Sequence, residues 1–146
     1  MQGSVPVPLS EIEITAVRER IQPTAAKGKV LEGGAGYLAL REITEHSSEE
    51  IRGELESLRA NHARGLVLDL RGCAFGDPKL GAPIAELFLA GGPIGKLTGR
   101  RVKEQILEAK AAHGVWHDPL TVLVDSGTAG PAEVVAGALF DAGRPV

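Results

Sequence analysis

The chain has 146 residues, a formal net charge of −3 and 3% aromatic residues. This length fits one domain, and a core with so few aromatic side chains has to be built from Val, Leu, Ile and Ala. The chain is acidic overall and its sequence has no basic stripe. Both features argue against nucleic-acid binding. The single cysteine, Cys73, excludes an internal disulfide, and the longest apolar runs are too short to span a bilayer.

An N-terminal segment, residues 1–29, is predicted to be separate from a core domain at 30–146. Ser4–Leu9 alternates Val and Pro and predicts an extended tail. Glu11–Arg20 alternates apolar and polar side chains, which is typical of a strand. Pro23–Lys29 is interpreted as a linker. The N-terminus lacks the charged and apolar regions of a secretory signal, so the sequence itself does not define the compartment.

The core sequence alternates predicted strands with predicted helices. Ser47, with Glu50 three residues later, predicts a helix-capping box. Gly99–His113 is ambiguous, because its residues favour a helix but its apolar pattern is imperfect. The alternation predicts an α/β fold with a largely parallel sheet and flanking helices. The predicted strands are Tyr37–Leu40, Leu66–Leu70 and Leu120–Val124, and the predicted helices are Ser48–His62, Lys79–Ala90 and Pro131–Asp141.

Val122–Leu139 is the most informative stretch of the chain. It predicts a buried strand, a turn of small residues and a helix. This layout can place a serine nucleophile at the start of a helix, but Gly130 stands where that serine would be. A second glycine-rich turn, at residues 33–36, comes before a strand and therefore does not match a dinucleotide-binding fingerprint. We expect no cofactor.

Five sequence blocks, taken together, resemble the core of the C-terminal processing peptidases, also called tail-specific proteases. The order and spacing of the blocks are specific, although each block alone is weak. The resemblance implies a crotonase-like or ClpP-like α/β core, preceded by a PDZ domain whose last strand would be Glu11–Ile21. The blocks are Gly36–Leu40, Gly65–Gly72, Ile84–Leu89, Leu120–Asp141 and Gly143–Arg144.

The resemblance also shows what this chain lacks. The family uses a serine nucleophile in a small–Ser–Ala–Ser–Glu pattern, which here is Ala129, Gly130, Pro131, Ala132 and Glu133. Gly130 has no side chain that could attack, and Pro131 has no N–H for the oxyanion. The family's lysine base would follow Gly143–Arg144, beyond the end of this sequence. The implied catalytic set is therefore not intact, and we expect a core domain truncated at its C-terminus.

The remaining members of the implied site region are Gly72 and Gly76, in the loop after the strand Leu66–Leu70. Phe75 fills a place where the family has a second glycine, and we expect it to crowd this loop. Glu133 lies in the first turn of the last helix, where it complements the helix dipole.

Other reactive side chains have a simpler explanation. Ser126 and Thr128 precede the nucleophile position, and we interpret both as turn residues. We interpret Cys73 as a small buried hydrophobe rather than a reactive thiol. We interpret Asp69 as a structural residue that bonds nearby backbone or pairs with Arg71, rather than as a catalytic group.

Two histidines and Trp116 lie in the loop before the last predicted strand. His113 and His117 have a spacing that suits zinc on a helix, but Gly114 and Asp118–Pro119 disfavour a helix there, and no third ligand stands out. We expect no metal. Trp116 is interpreted as a packing residue.

Two classes of function stay open. The first is a processing-peptidase core of serine endopeptidase lineage that is inactive in this chain. The second is a non-catalytic module that binds peptides or ligands on the same fold, a use illustrated by the retinoid-binding proteins of the photoreceptor matrix. An acyl-CoA enzyme of crotonase type is the third and weakest reading. The resemblance implies protein or peptide C-termini as partners and export from the cytoplasm, and we expect a homo-oligomer formed through an uncovered strand edge.

Overall fold

The computed structural model describes residues 26–100 and 102–145 of the chain. The strand predicted at Glu11–Arg20 lies outside these residues. In the described part, six strands and three α-helices follow one another along the chain. They are β1 (Ala26–Val30), β2 (Gly36–Leu40), α1 (Ser47–Ala60), β3 (Leu66–Asp69), α2 (Gly81–Glu86), β4 (Gly92–Gly99), β5 (Val102–Ala109), β6 (Leu120–Leu123) and α3 (Pro131–Asp141).

The central sheet has four strands in the order β1-β2-β3-β6. β2, β3 and β6 are parallel, whereas β1 is antiparallel to β2. In register, Leu38 of β2 lies beside Leu68 of β3, which lies beside Val122 of β6, and all three side chains are buried. The predicted α/β fold with a largely parallel sheet is confirmed for this part of the chain.

β1 corrects the interpretation of Pro23–Lys29 as a linker. The strand pairs with β2 from Ala26 opposite Leu40 to Val30 opposite Gly36, across a turn at Gly33 and Gly34. The Ala26 side chain is buried, but most of β1 is exposed, so its sequence has no clear apolar alternation. The division into 1–29 and 30–146 stays a prediction.

The predicted first helix is confirmed as α1, which buries Ile51, Leu55 and Leu58 against the sheet. The predicted capping box is wrong. His46 is the N-cap residue and makes no side-chain cap. The Ser47 hydroxyl instead accepts a hydrogen bond from the backbone N–H of Thr44 at 2.8 Å, so it stabilises the turn before the helix.

The predicted helix Lys79–Ala90 is shorter in the structure. A 3-10 turn at Pro78–Leu80 leads into α2, which ends at Glu86. The Leu87 carbonyl accepts from the N–H groups of Val115 and Trp116, at 2.7 and 3.0 Å. The Leu87 carbonyl, just after the last helical residue, therefore binds the loop at Val115 and Trp116 instead of continuing the helix.

The helical preference of Gly99–His113 is overridden in the structure. β4 and β5 form an antiparallel two-stranded ribbon, in which Lys96 and Glu104 make an ion pair at 2.7 Å. Among the ribbon side chains that the structure describes, only Ile94 and Ala109 are buried. Pairing with a second strand decides the conformation here, because strand formation depends more on neighbours than on intrinsic propensity.

The remaining expectations for the core hold. α3 forms over the predicted residues. Trp116 is fully buried, its indole N–H donates to the carbonyl of Pro119 at 3.4 Å, and the Arg59 guanidinium lies 5.8 Å from its ring centroid. No helix in the described part of the chain is long and apolar enough to cross a membrane.

Candidate functional site

The candidate site lies at the carboxyl ends of the parallel strands. The loop after β3 runs from Leu70 to Asp77, and the loop after β6 runs from Val124 to Gly130. Parallel strands place their following loops at one edge of the sheet, where α/β proteins bind their ligands. The structure thus brings the implied site residues of the two loops to the same edge.

Gly130 forms a sharp elbow between β6 and α3. It is the N-cap residue of α3, with φ 57° and ψ −124°, a conformation that is strained for any residue with a side chain. A Cβ atom placed on Gly130 would lie 3.3 Å from the carbonyl oxygen of Ala74 and 3.6 Å from that of Gly76. A side chain there would point at the loop after β3, in tight but available space.

Pro131 follows as the first residue of α3, and it is buried. Proline suits this helical position because the N–H it lacks has no partner within the helix. The same absence removes one backbone donor from the elbow. The elbow thus has neither a side chain at Gly130 nor an N–H at Pro131.

The two loops are joined by hydrogen bonds around Asp125. One carboxylate oxygen of Asp125 accepts from the N–H groups of Gly72 and Gly127, both at 2.9 Å. The Thr128 hydroxyl donates to the carbonyl of Leu70 at 2.9 Å, and the Ala129 N–H donates to the carbonyl of Cys73 at 3.0 Å. The hydrogen bond from Gly72 is the main cause that lowers the pKa of Asp125. The loops therefore form one connected unit.

Glycines let the loops and helices approach closely. A Cβ on Gly76 would collide with the carbonyl oxygen of Ile43 and would lie 3.0 Å from the Pro131 ring. A Cβ on Gly81 would collide with the carbonyl oxygen of Pro131. Gly76 also has φ 129°, which favours glycine. Glycine at these two positions therefore lets the loop after β3 and the start of α2 pack closely against the elbow.

A buried carboxylate, Asp69, lies at the end of the central strand β3. It accepts hydrogen bonds from the Tyr37 hydroxyl at 2.5 Å and from two guanidinium nitrogens of Arg71, each at 2.9 Å. The hydrogen bonds from Arg71 lower the pKa of Asp69 well below its usual range, against the opposing effect of burial. The predicted pairing with Arg71 is confirmed. Arg41 extends the network by donating to the Arg71 carbonyl at 2.8 Å.

The sequence did not indicate Tyr37 and Arg41. Their partners lie far away along the chain: Asp69 at the end of β3 is 32 residues from Tyr37, and Arg71 in the loop after β3 is 30 residues from Arg41. One usable signal exists: Ala39 pairs with Asp69 in register, so Tyr37 is the diagonal neighbour of Asp69 once the parallel pairing of β2 and β3 is assumed.

The structure places the other reactive side chains as follows. Cys73 is fully buried, and burial raises the pKa of its thiol, which confirms the interpretation as a core residue. Thr128 has its hydroxyl engaged in the turn, as predicted, and Ser126 is exposed. Glu133 is exposed in the first turn of α3, as predicted. Phe75 projects from its loop with 72% of its surface exposed, so it does not fill the loop.

His113 has a carboxylate partner rather than a histidine partner. Its Nδ1 lies 2.9 Å from one oxygen of Glu86, whose other oxygen accepts from the Lys110 N–H at 2.6 Å. His117 lies in the loop before β6. Among the residues that the structure describes, no group of three or more His, Cys, Asp or Glu side chains is arranged to hold a metal ion.

The elbow, the two glycine-containing loops and the largely parallel sheet place the candidate site at the carboxyl edge of an α/β core. The family model of peptidase family S41 matches residues 34–146, which include both loops and the elbow. The chain belongs to peptidase family S41. The resemblance to C-terminal processing peptidases in the sequence is thereby confirmed.

Curated relatives agree with this assignment, and a solved structure shares the fold. The chain is 32% identical over 137 residues to carboxyl-terminal-processing peptidase 2, chloroplastic, of Arabidopsis thaliana, covering 88% of this chain and 27% of the relative. It is 32% identical over 133 residues to a carboxyl-terminal-processing protease of Synechocystis, covering 88% and 31%. The structure of a photosystem II D1 C-terminal processing protease superposes with a TM-score of 0.73 at 24% identity, over 88% of this chain and 36% of that one. The chain thus spans about a third of the length of these proteins.

Proposed function

We propose that this chain is a processing-peptidase core of the crotonase-like kind that does not cleave peptide bonds. The observation that carries the proposal is the pair Gly130–Pro131 at the elbow. Gly130 has the backbone conformation of a nucleophile turn but no attacking atom. The residue after it has no N–H to stabilise an oxyanion.

Pro131 removes one backbone N–H that could stabilise an oxyanion. One oxyanion donor contributes about 2.7–4 kcal/mol of transition-state stabilisation, or about 10²–10³ in kcat. The loss of the nucleophile comes in addition. The neighbouring hydroxyls do not compensate, because Thr128 donates its proton to the carbonyl of Leu70 and so stabilises the turn. Ser126 lies on the exposed side of the same turn, four residues before the elbow.

The alternative is a module that binds peptides or other ligands without reacting with them. It is favoured by the intact frame around the elbow, in which Asp69, Asp125 and the glycines keep both loops in place. The exposed Phe75 offers an apolar contact beside this frame. Protein C-termini as partners, a preceding PDZ domain whose last strand would be Glu11–Ile21, and export from the cytoplasm are further parts of the proposed function.

Activity assays test the proposal directly. We expect no cleavage of casein or of a peptide with a hydrophobic C-terminal tail. We also expect none after Gly130→Ser, because Pro131 still lacks the donor, and Gly130→Ala serves as the control with the same backbone strain and no hydroxyl. Cleavage by Gly130→Ser but not by Gly130→Ala would show that the elbow needs only a hydroxyl, and that the part of the proposal resting on the missing N–H of Pro131 is wrong. Cleavage by the unmodified chain that disappears in Ser126→Ala or Thr128→Ala would contradict it equally.

The binding alternative has a separate readout. Titration of the uncleaved tail peptide, followed by the backbone amide signals of Gly72 and Gly76, would show binding at the loops. Binding without cleavage supports the module, and cleavage excludes it.

A further inference from the structure

A side chain of α1 closes the outer edge of β1. In the described part of the chain, β1 stands at one end of the central sheet and pairs with β2 on one side. Neighbouring residues of an antiparallel strand direct their backbone groups to opposite sides. The Gly28 N–H points away from β2 and donates to a carboxylate oxygen of Glu54 at 2.9 Å. A side chain, rather than a further strand, therefore satisfies this outward donor.

Glycine at position 28 lets the carboxylate come this close. A Cβ atom there would lie 2.7 Å from the same oxygen of Glu54 and 3.4 Å from the Leu58 side chain. Any other residue would therefore push the carboxylate away from the strand. Leu58 is buried one turn further along α1, so the helix holds the stem of Glu54 in place beside β1.

A carboxylate in this position opposes the pairing of β1 with another chain. An added strand needs the Gly28 N–H as a donor for one of its carbonyls, and that donor is in use. Hydrogen bonds to a charged acceptor are about twice as strong as neutral ones, so the carbonyl of a strand competes poorly. Charged side chains protect the ends of many natural sheets in this way. On β1 an apolar side chain that favours pairing, Val30, is 39% exposed.

Two lysines determine which strand would fit this edge. Lys27 and Lys29 are exposed, on the face of β1 opposite to the one that Glu54 and Leu58 cover. A cavity of about 340 Å³ lies against them and the Tyr37 side chain. Opposite charges across two strands stabilise their pairing, and like charges oppose it. A second copy of β1 centred on Gly28 would place lysine opposite lysine, whereas a strand with alternate acidic residues would place carboxylates there.

We propose that Glu54 is a lock on the edge of β1, and that displacing its carboxylate lets the edge bind an extended acidic segment of a partner polypeptide. The segment adds as a strand, with Asp or Glu side chains opposite Lys27 and Lys29. Main-chain hydrogen bonds supply affinity in this mode, and alternate side chains supply specificity. The lock uses no residue of the elbow or of its two loops, so it is independent of the proposed function.

Two substitutions open the lock from opposite sides. Glu54→Ala removes the carboxylate, and Gly28→Ala displaces it with a methyl group. We expect each to speed hydrogen exchange of the amide at position 28 about tenfold or more, relative to its intrinsic rate, because a hydrogen bond to a charged group is lost. The double substitution should add little, because both changes remove the same contact. Glu56→Ala is the matched control, since Glu56 is exposed on the same helix, and it should leave this exchange unchanged.

Peptide binding to the full chain tests what the open edge accepts. The probe is a fluorescent peptide, blocked at both ends, with a central Val, a Glu on either side of it and Thr beyond. We expect it to bind Glu54→Ala and Gly28→Ala about tenfold or more tightly than the unmodified chain or Glu56→Ala. Replacing both Glu residues of the peptide by Lys should weaken binding to the open variants about fivefold. N-methylation of the central Val should abolish binding, whereas N-methylation of either Glu should not, because strand addition uses alternate amides.

Three results would overturn the proposal. Equal affinity of the peptide for the unmodified chain and for both open variants would mean that Glu54 does not control the edge. Unchanged protection of the amide at position 28 in Glu54→Ala would show that another group holds β1. A dimer of Glu54→Ala in light scattering that Gly28→Ala also forms would assign the open edge to a second copy of the chain, against the selectivity for an acidic segment.

Discussion

The two loops of the candidate site are each held by an aspartate, and the two aspartates work by opposite means. Asp69, at the end of β3, is fully buried and accepts hydrogen bonds from the side chains of Tyr37 and Arg71. Asp125, just after β6, is exposed and accepts from the backbone N–H groups of Gly72 and Gly127. The first carboxylate is part of the core, and the second holds one loop to the other.

This difference separates the frame of the site from its chemistry. A buried charge is tolerated only when its partners are complete, so disturbing Asp69 should affect the whole fold. An exposed charge bound by main-chain groups affects the local loop geometry. Gly130 ends the loop that is held locally, and Pro131 begins α3. Under the proposed function, chemistry is lost at these two positions while the frame persists.

Asp69→Asn should have the largest effect on stability. The amide cannot accept the two hydrogen bonds from Arg71 and the one from Tyr37 in the same way, and we expect a loss of about 3 kcal/mol in the free energy of unfolding. Urea unfolding at pH 7 measures it. Asp118→Asn is the control, because the pair of Asp118 with Arg59 at 3.2 Å is about half exposed, and such pairs contribute less than about 1 kcal/mol.

The pH dependence gives a second test of Asp69. Its pKa is lowered in the folded protein from the ordinary value of 3.8. The stabilisation is therefore fully present above pH 3.8 and is lost as the pH falls below that value. Asp69→Asn should remove this part of the acid sensitivity. Equal loss of stability on acidification in both proteins would contradict the assignment.

Gly76→Ala should have the next largest effect. Its Cβ would meet the carbonyl oxygen of Ile43 at a φ of 129°, so we expect a loss of about 2 kcal/mol from clash and backbone strain. Gly53→Ala is the matched control, because Gly53 lies within α1 with no atom within 4 Å of an added Cβ. That substitution should raise stability by about 0.5–1 kcal/mol. Thermal unfolding of the two variants should shift in opposite directions.

The sequence predicted the frame where interactions are local or where apolar runs are long. The apolar runs Leu66–Leu70 and Leu120–Val124 predict β3 and β6 directly, and both strands bury at least one face. The elbow was predicted as well, because a strand, a turn of small residues and Pro131 at the first helical position follow one another along the chain.

The sequence failed where a partner lies far away along the chain. Lys103–Leu107 has residues that favour a helix, yet β4 pairs with this segment and makes it a strand. The sequence indicated Arg71 as the side-chain partner of Asp69, because Arg71 is two residues away. Its second partner, Tyr37, is 32 residues away and becomes a neighbour only through the pairing of β2 with β3.

Thr128→Val should have a smaller effect on stability. It removes the hydrogen bond to the Leu70 carbonyl, at 2.9 Å, and the acceptor for the Asp125 N–H, at 3.1 Å. We expect a loss of about 1 kcal/mol, because the side chain keeps its shape and only hydrogen bonds are lost. Ser126→Ala, in the same turn but exposed, should change stability by less than about 0.5 kcal/mol. A larger effect of Ser126→Ala would mean that the roles of the two hydroxyls are reversed.

Asp125→Asn should have the smallest effect, and it should be local. The amide oxygen of Asn can still accept from Gly72 and Gly127, but the hydrogen bonds lose the strength that a charged acceptor gives them. Hydrogen exchange of the Gly72 amide should therefore become faster while global unfolding stays nearly unchanged. Asp77→Asn is the control, since Asp77 accepts in the same way from the Lys79 N–H, at 2.9 Å, away from Gly72.

Hydrogen exchange measured at low pH distinguishes this local effect from a general loosening of the loops. The folded pKa of Asp125 is lowered, chiefly by the hydrogen bond from Gly72, so its charge strengthens that bond above the ordinary carboxyl pKa and stops doing so as the pH falls through the folded pKa. The excess protection of the Gly72 amide, measured against the intrinsic exchange rate at each pH, should fall on acidification in the unmodified chain and stay level in Asp125→Asn. If both proteins lose the same protection, another group holds Gly72, and the contrast between the two aspartates does not hold.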